Sequence, residues 1–152
     1  MKQLLMLLAL FPTVASAGPV VGLEVMAMSS VSPDAKSSAT TLLTPTFGYQ
    51  LDMAIIDITP EIGLALDGSL SPKIGARLRF GKLLKPGLYS HVVLDRSLAL
   101  NGAKAGFDAG GLLDITLVPH LEAGLQLGIA TVSQDDTLIP QLAAGGRIAF
   151  TF

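Results

Sequence analysis

Along this chain apolar residues recur at every second position. The last twelve residues, QLAAGGRIAFTF, carry Leu142, Ala144, Gly146, Ile148, Phe150 and Phe152 on one parity and Gln141, Ala143, Gly145, Arg147, Ala149 and Thr151 on the other. A period of two belongs to a strand, whose successive side chains leave opposite faces of the sheet. The same alternation, interrupted by Pro, Gly, Asp and Ser clusters, predicts eight strands over about 19–28, 46–55, 61–67, 73–81, 87–95, 107–117, 120–130 and 141–152. One parity set, from Val21, Leu23 and Val25 to Ile148, Phe150 and Phe152, is mostly apolar and contains no charge. The other set collects Glu24, Asp52, Glu61, Asp67, Lys73, Arg77, Arg79, Asp95, Asp108, Asp114, Glu122 and Arg147. Short connections at 56–60, 68–72, 82–86 and 118–119 and longer ones at 29–45, 96–106 and 131–140 describe an up-and-down antiparallel meander.

Alternation leaves open whether the apolar face meets a protein core, as in a secreted soluble β-protein, or lipid. Three features favour lipid. The polar parity set is rich in glycine (Gly22, Gly48, Gly63, Gly75, Gly87, Gly110, Gly124, Gly128 and Gly145), which suits a crowded interior better than a water-facing surface. Most segments come near the ~9–11 residues needed to cross a bilayer at a tilt. Aromatic residues fall near strand ends, with Phe80, Phe150 and Phe152 expected at the short-turn rim and Phe47, Tyr49 and Phe107 at the other.

Composition sharpens this picture. Half of the 152 residues are hydrophobic and 14% are charged, against roughly a quarter in a typical soluble domain. Lys2, the apolar run Leu4 to Phe11, Pro12 and Ala15-Ser16-Ala17 read as a cleaved secretory signal peptide over 1–17. The run is far short of the ~20 residues of a membrane-anchoring helix. Residues 18–152 then form one domain. A net charge of −2 gives no basis for nucleic-acid binding. The absence of Cys excludes disulfides, a thiol nucleophile and a lipidated Cys.

A leader, eight alternating segments and a terminal Phe152 preceded by Phe150 and Ile148 together resemble the small eight-stranded outer-membrane barrels of Gram-negative bacteria. This is the family of the outer-membrane protein A transmembrane domain and outer-membrane protein X, and the resemblance covers residues 18–152. It implies an all-β, eight-stranded antiparallel up-and-down transmembrane β-barrel in the outer membrane, surrounded by its lipid. It also implies that Ile148, Phe150 and Phe152 are read by the barrel-assembly machinery during insertion.

Eight strands enclose an interior that side chains just fill. Glu24, Glu122 and Arg147 are expected at similar height on neighbouring strands. Arg77 and Arg79 are expected between Glu61 and His91, with Asp114 one strand further. Buried charges persist when paired, so these residues are expected to form a network in the half nearer the short turns. The network reads as a structural plug, or alternatively as the constriction of a narrow pore. Catalysis finds little support: Ser90 and His91 are adjacent on a strand and face opposite ways. His120 and Glu122 lack a third metal ligand in clear spacing. GARLRFGK, residues 75–82, has the wrong glycine spacing for a phosphate loop. Segments 29–44, 96–105 and 131–138 remain as candidate extracellular loops for a surface ligand. The expected function is a structural or surface-interaction barrel without enzymatic activity, cofactor or metal. A narrow small-solute or ion channel is the alternative, and a lipid-modifying enzyme the third reading.

Overall fold

The computed structural model describes residues 16–31, 40–66, 70–94, 105–134 and 137–152. Residues 1–15, most of the expected signal peptide, lie outside these. Eight strands follow in chain order: β1 (Ser16–Ser30), β2 (Thr40–Met53), β3 (Ile56–Leu66), β4 (Leu70–Phe80), β5 (Leu84–Leu94), β6 (Ala105–Val118), β7 (Leu121–Gln134) and β8 (Thr137–Thr151). Each pairs antiparallel with its neighbours, and β8 closes on β1 from Val20↔Thr151 to Ser30↔Gln141.

The parity sets decide which way the sheet curls. Val21, Leu23, Val25, Ile62, Ile74, Leu88, Leu113, Leu125, Leu127, Ile129, Ile148 and Phe150 are all exposed, Leu125 reaching 70%. Glu24, Glu61, Arg77, Arg79, His91, Asp114, Glu122 and Arg147 are all buried. The barrel is therefore inside out relative to a soluble one, with apolar side chains outward and charges in the lumen. Among the described strand residues no charged side chain is on the outward face.

The inward glycines make room for long neighbours. A Cβ on Gly128 would lie 2.5 Å from the Tyr89 hydroxyl and 2.2 Å from the Ala109 carbonyl oxygen. One on Gly75 would lie 2.5 Å from His91 Cδ2, and one on Gly124 would overlap the Asp114 carboxylate. Gly111, which faces outward, has open space instead, with its nearest neighbour at 3.9 Å.

The strands are longer than the alternation suggested, and proline is the reason. Pro45, Pro60, Pro72, Pro86 and Pro140 read as strand terminators, yet they sit within strands opposite Leu23, Ala76, Leu64, Leu113 and Thr131. All five are exposed, so their rings add apolar surface to the outer face. The missing N–H of proline removes a ladder donor, and the β2–β3 register passes from Gly48↔Glu61 to Leu51↔Ile58 around Pro60.

Several expected connections are corrected accordingly. Residues 56–60 belong to β3, and the turn is at Ala54–Ile55, where Ala54 has a φ of 61°. The β4–β5 turn begins at Gly81, whose φ of 104° suits glycine, and the β6–β7 turn contains His120 with a φ of 72°. Of the expected loop 29–44, Ser29 and Ser30 pair within β1 and 40–44 within β2, in the register Ala27↔Thr41 and Met28↔Thr40. Ladder pairing needs only backbone groups, so these Ser/Thr residues extend the barrel beyond its apolar zone. Of the expected loop 131–138, residues 131–134 belong to β7 and 137–138 to β8, paired as far as Gln134↔Thr137, and 135–136 lie outside the described residues. The segment 96–104 lies outside the described residues, and Ala105 opens β6.

The two aromatic girdles are not found as expected. Tyr49 pairs with Pro19 near the short-turn end, and Phe47 pairs with Val21, whose other neighbour is Phe150. Phe47 and Tyr49 are thus displaced from the loop-end rim, where Phe107 remains near the start of β6. The register, counted from the turns as they form, places them there.

The glycine pattern gives a paired prediction. Gly128→Ala forces a backbone contact and is expected to destabilise the barrel by about 1–3 kcal/mol. Gly111→Ala is expected to be neutral or stabilising by up to about 1 kcal/mol. Urea unfolding in lipid vesicles measures both, and equal effects would contradict the assigned faces.

Candidate functional site

The lumen carries the chemistry of this fold. Strands β3, β4 and β5 each have 11 residues and deliver their inward side chains in alternation: Asp57, Thr59 and Glu61; Lys73, Arg77 and Arg79; Lys85, Tyr89 and His91. Among the described residues, five cationic ones (Lys73, Arg77, Arg79, Lys85 and Arg147) and six carboxylates (Glu24, Asp57, Glu61, Asp108, Asp114 and Glu122) are buried there. So even a balance fills and neutralises the lumen; a filter for ions of one sign needs an excess of the other.

Two centres organise these groups. Nearer the short turns, Arg79 is fully enclosed. Its Nη2 donates to Asp57 Oδ1 at 2.7 Å and to Gln50 Oε1 and Thr59 Oγ1, each at 3.1 Å. Its Nη1 donates to Asp114 Oδ2 at 3.1 Å and to Glu122. Lys85 Nζ joins by donating to Asp57 Oδ2 at 2.9 Å and to Glu122. Above this, Arg77 donates from Nε to Glu61 Oε1 at 2.7 Å, from Nη1 to Gln126 Oε1 at 3.1 Å and from Nη2 to Glu24. Lys73 also donates to Glu24, and His91 Nε2 lies 2.7 Å from Glu61 Oε1. The Arg77 guanidinium sits 5.6 Å from the centre of the Tyr89 ring, within cation–π range.

All eight residues anticipated for the network point into the lumen; Arg77 meets Glu61, which also meets His91, as their neighbouring strands suggested, but Glu24, Glu122 and Arg147 pair differently from their expected grouping. Glu24 and Arg147 are rung partners, yet Glu24 bonds to Arg77 and Lys73 across the lumen. Arg147 approaches Glu61 Oε2 at 3.6 Å and Asp114 Oδ2 at 3.8 Å. Glu122 pairs with Arg79 and Lys85. Heights counted without the stagger between strands misjudge which residues meet, and long Arg and Lys side chains reach well past the next strand.

Sequence reasoning missed Asp57 and Lys85 because both fell in segments read as turns. It also left Lys73, Asp108, Gln50, Gln126 and Tyr89 outside the network. The parity of Glu61 extended back to Thr59 and Asp57, and that of His91 extended back to Tyr89, Gly87 and Lys85, would have placed the first two.

Ser90 is exposed while His91 is buried, so the two do not pair. His120 lies in the β6–β7 turn with its ring 6.1 Å from that of Phe150, whereas Glu122 points inward at Arg79. Among the described residues no group of three or more His, Asp or Glu side chains is arranged to hold a metal ion. At the short-turn end the lumen opens into a cavity of about 530 Å³ whose lining includes Gln50, Asp57, Lys85, His120, Glu122 and Phe152.

No protein-family model matches the chain, and no curated protein matches it. Solved structures do. Neisserial surface protein A (NspA) aligns with a TM-score of 0.57 at 12% identity, over 90% of this chain and 99% of that one. The N-terminal β-barrel domain of Pseudomonas aeruginosa OprF aligns with a TM-score of 0.50 at 15% identity, over 90% of this chain and 100% of that one. The fold is that of the small eight-stranded outer-membrane barrels. At such low identity the likeness is one of architecture, and the lumen must be read from its own residues.

Arg79 supplies the sharpest test of the lumen. Arg79→Met leaves Asp57, Asp114 and Glu122 buried with only Lys85 and the more distant Arg147 to offset them, and is expected to cost about 3–5 kcal/mol of unfolding free energy. Adding Asp57→Asn and Glu122→Gln to Arg79→Met is expected to recover a large part of that loss. Urea unfolding in vesicles reads both values; a loss below about 1 kcal/mol for Arg79→Met would mean that the three carboxylates do not depend on Arg79 for their pairing.

Proposed function

We propose that this protein is an integral barrel of the bacterial outer membrane that serves as a structural or surface-interaction scaffold, without enzymatic activity. The observation that carries the reading is the separation of faces: exposed apolar side chains around the whole circumference and, among the described strand residues, charges confined to a nearly balanced lumen. A surface of that kind is suited to hydrocarbon, where a closed barrel satisfies its backbone groups internally. Residues 1–17 act as a cleaved export signal in this proposal. Ile148, Phe150 and Phe152 form the signal recognised during assembly; Ile148 and Phe150 sit on the outward face of β8, and Phe152, just past its end, is also exposed. The connections at the loop end, within 29–44, 96–105 and 131–138, are the proposed contacts for an extracellular ligand.

A narrow channel is the second reading, favoured by the open cavity at the short-turn end. A lipid-modifying enzyme is the third, and the outward Ser90 beside the inward His91 gives it no nucleophile and base pair.

The test has two parts. The outer-membrane fraction is expected to hold the protein in a form that migrates differently on an SDS gel before and after boiling. The purified barrel in a planar bilayer is expected to give no sustained single-channel conductance. Recovery in a soluble fraction without a heat shift would overturn the membrane reading, and steady conductance would replace the scaffold with the channel.

A further inference from the structure

The charged lumen is not uniform along its axis. On β1 the inward residues run from Glu24 to Met26 and Met28 toward the loop end. There the ionic groups give way to an apolar cluster of Met26, Met28, Ala130 and Ala143, with Leu42 packed against it. Ala143 has no exposure, and Met26 and Met28 are 4% and 6% exposed. These side chains come from β1, β2, β7 and β8 and offer water no hydrogen-bonding group except the weakly accepting thioethers.

The layer beneath is different. All three guanidinium nitrogens of Arg147, Glu61 Oε2, Thr46 Oγ1, the Tyr89 hydroxyl, His91 Nδ1 and Gln126 Nε2 are buried without a hydrogen-bond partner in the protein, as is Oδ1 of Asp108, which borders the apolar cluster as the rung partner of Ala130. A guanidinium 96% buried whose nearest carboxylate oxygens stand at 3.6 and 3.8 Å is too far for direct hydrogen bonds. At that spacing, bridging water is the natural partner. Leaving so many buried polar atoms dry is strongly unfavourable, because each would forfeit the hydrogen bonds it makes in water. Polar spaces of this type hold water, whereas apolar ones stay dry. At the short-turn end, Gln50, Asp57, Lys85 and Glu122 line the open cavity and also hold the Arg79 centre. Between that cavity and Arg147 the lumen is lined by the polar Arg79 centre together with the inward Val20 and Ala149.

We propose that the lumen is an aqueous vestibule open at the short-turn end, and that the methionine collar of Met26 and Met28, with Leu42, Ala130 and Ala143, is its barrier to water and ions at the loop end. The ion pairs fill and stabilise the lumen, while the seal is a hydrophobic constriction that excludes ions because it does not wet. The inference rests on the membrane-barrel reading above.

The native sequence contains no Cys, so single cysteines report access cleanly. Thr46→Cys lies beneath the collar, beside Gly22 and Arg147, and Thr40→Cys lies at the loop end opposite Met28. Each variant is inserted into lipid vesicles with its orientation read from a C-terminal tag, and silver ion is applied from one side at a time. Thiols left unreacted are labelled after unfolding. Thr46→Cys is expected to react from the short-turn side only, and Thr40→Cys from the loop side only. Met26→Gln with Met28→Gln, or Met26→Ala if the first pair does not fold, is expected to let Thr46→Cys react from both sides. Reaction of Thr46→Cys from the loop side with both methionines intact, reaction from neither side, or sidedness unchanged by the collar variants would overturn the proposal. A failure of the membrane reading would instead show as no vesicle insertion and no heat shift in the same preparations.

Discussion

Closure of the sheet is the constraint on which this structure depends. In hydrocarbon an unpaired backbone N–H or C=O costs several kcal/mol, so a strand that crosses a bilayer needs a partner on both sides. The β8–β1 ladder supplies the last of these, running from Val20↔Thr151 to Ser30↔Gln141. Where turns join the strands, the same accounting continues: Gly81 donates to the Ile55 carbonyl at 2.9 Å and Thr151 to the His120 carbonyl at 2.8 Å. The prolines are the exceptions, each removing a donor, and their outward rings leave the lumen untouched.

Once the sheet is closed, the alternation of side chains divides the molecule into two chemistries. Outward positions compete only for contact with acyl chains, and Leu, Ile, Val, Phe and Pro meet that demand. Inward positions share a narrow space in which a charge must find a partner, a glycine must stand opposite a long side chain, and an apolar side chain packs only against its own kind. Arg77 and Arg79, adjacent on one face of β4, each gather partners from several strands and so couple the barrel across its diameter. The methionine collar is what the same geometry produces where the inward residues of β1, β2, β7 and β8 are uncharged. Stability and impermeability are therefore assigned to different layers of one lumen.

Much of this was legible in the sequence. The number of strands, their antiparallel order and the inward direction of Glu24, Arg77, Arg79 and Arg147 follow from a period of two, together with glycine in the polar set. The boundaries did not follow, because Pro60 and Pro86 carry the usual signature of a turn, and in a barrel wall an outward proline is tolerated. Asp57 and Lys85 were lost with those boundaries. The actual ion pairs were beyond reach for another reason: which carboxylate an arginine meets depends on the stagger between strands, which alternation does not encode. The inward Met26 and Met28 break no pattern in the sequence, and only their position above Glu24 in a closed lumen gives them a role.

The most direct test of the central claim, apolar outward and charged inward, uses fluorescence, since the protein has no Trp. Single tryptophans replacing Leu125, which is 70% exposed, and Tyr89, which is 3% exposed, would be compared in vesicles containing brominated lipid. The account predicts strong quenching for Leu125→Trp and little for Tyr89→Trp. Quenching of Tyr89→Trp with Leu125→Trp protected would mean that the apolar face is a core, and would contradict the fold's orientation outright.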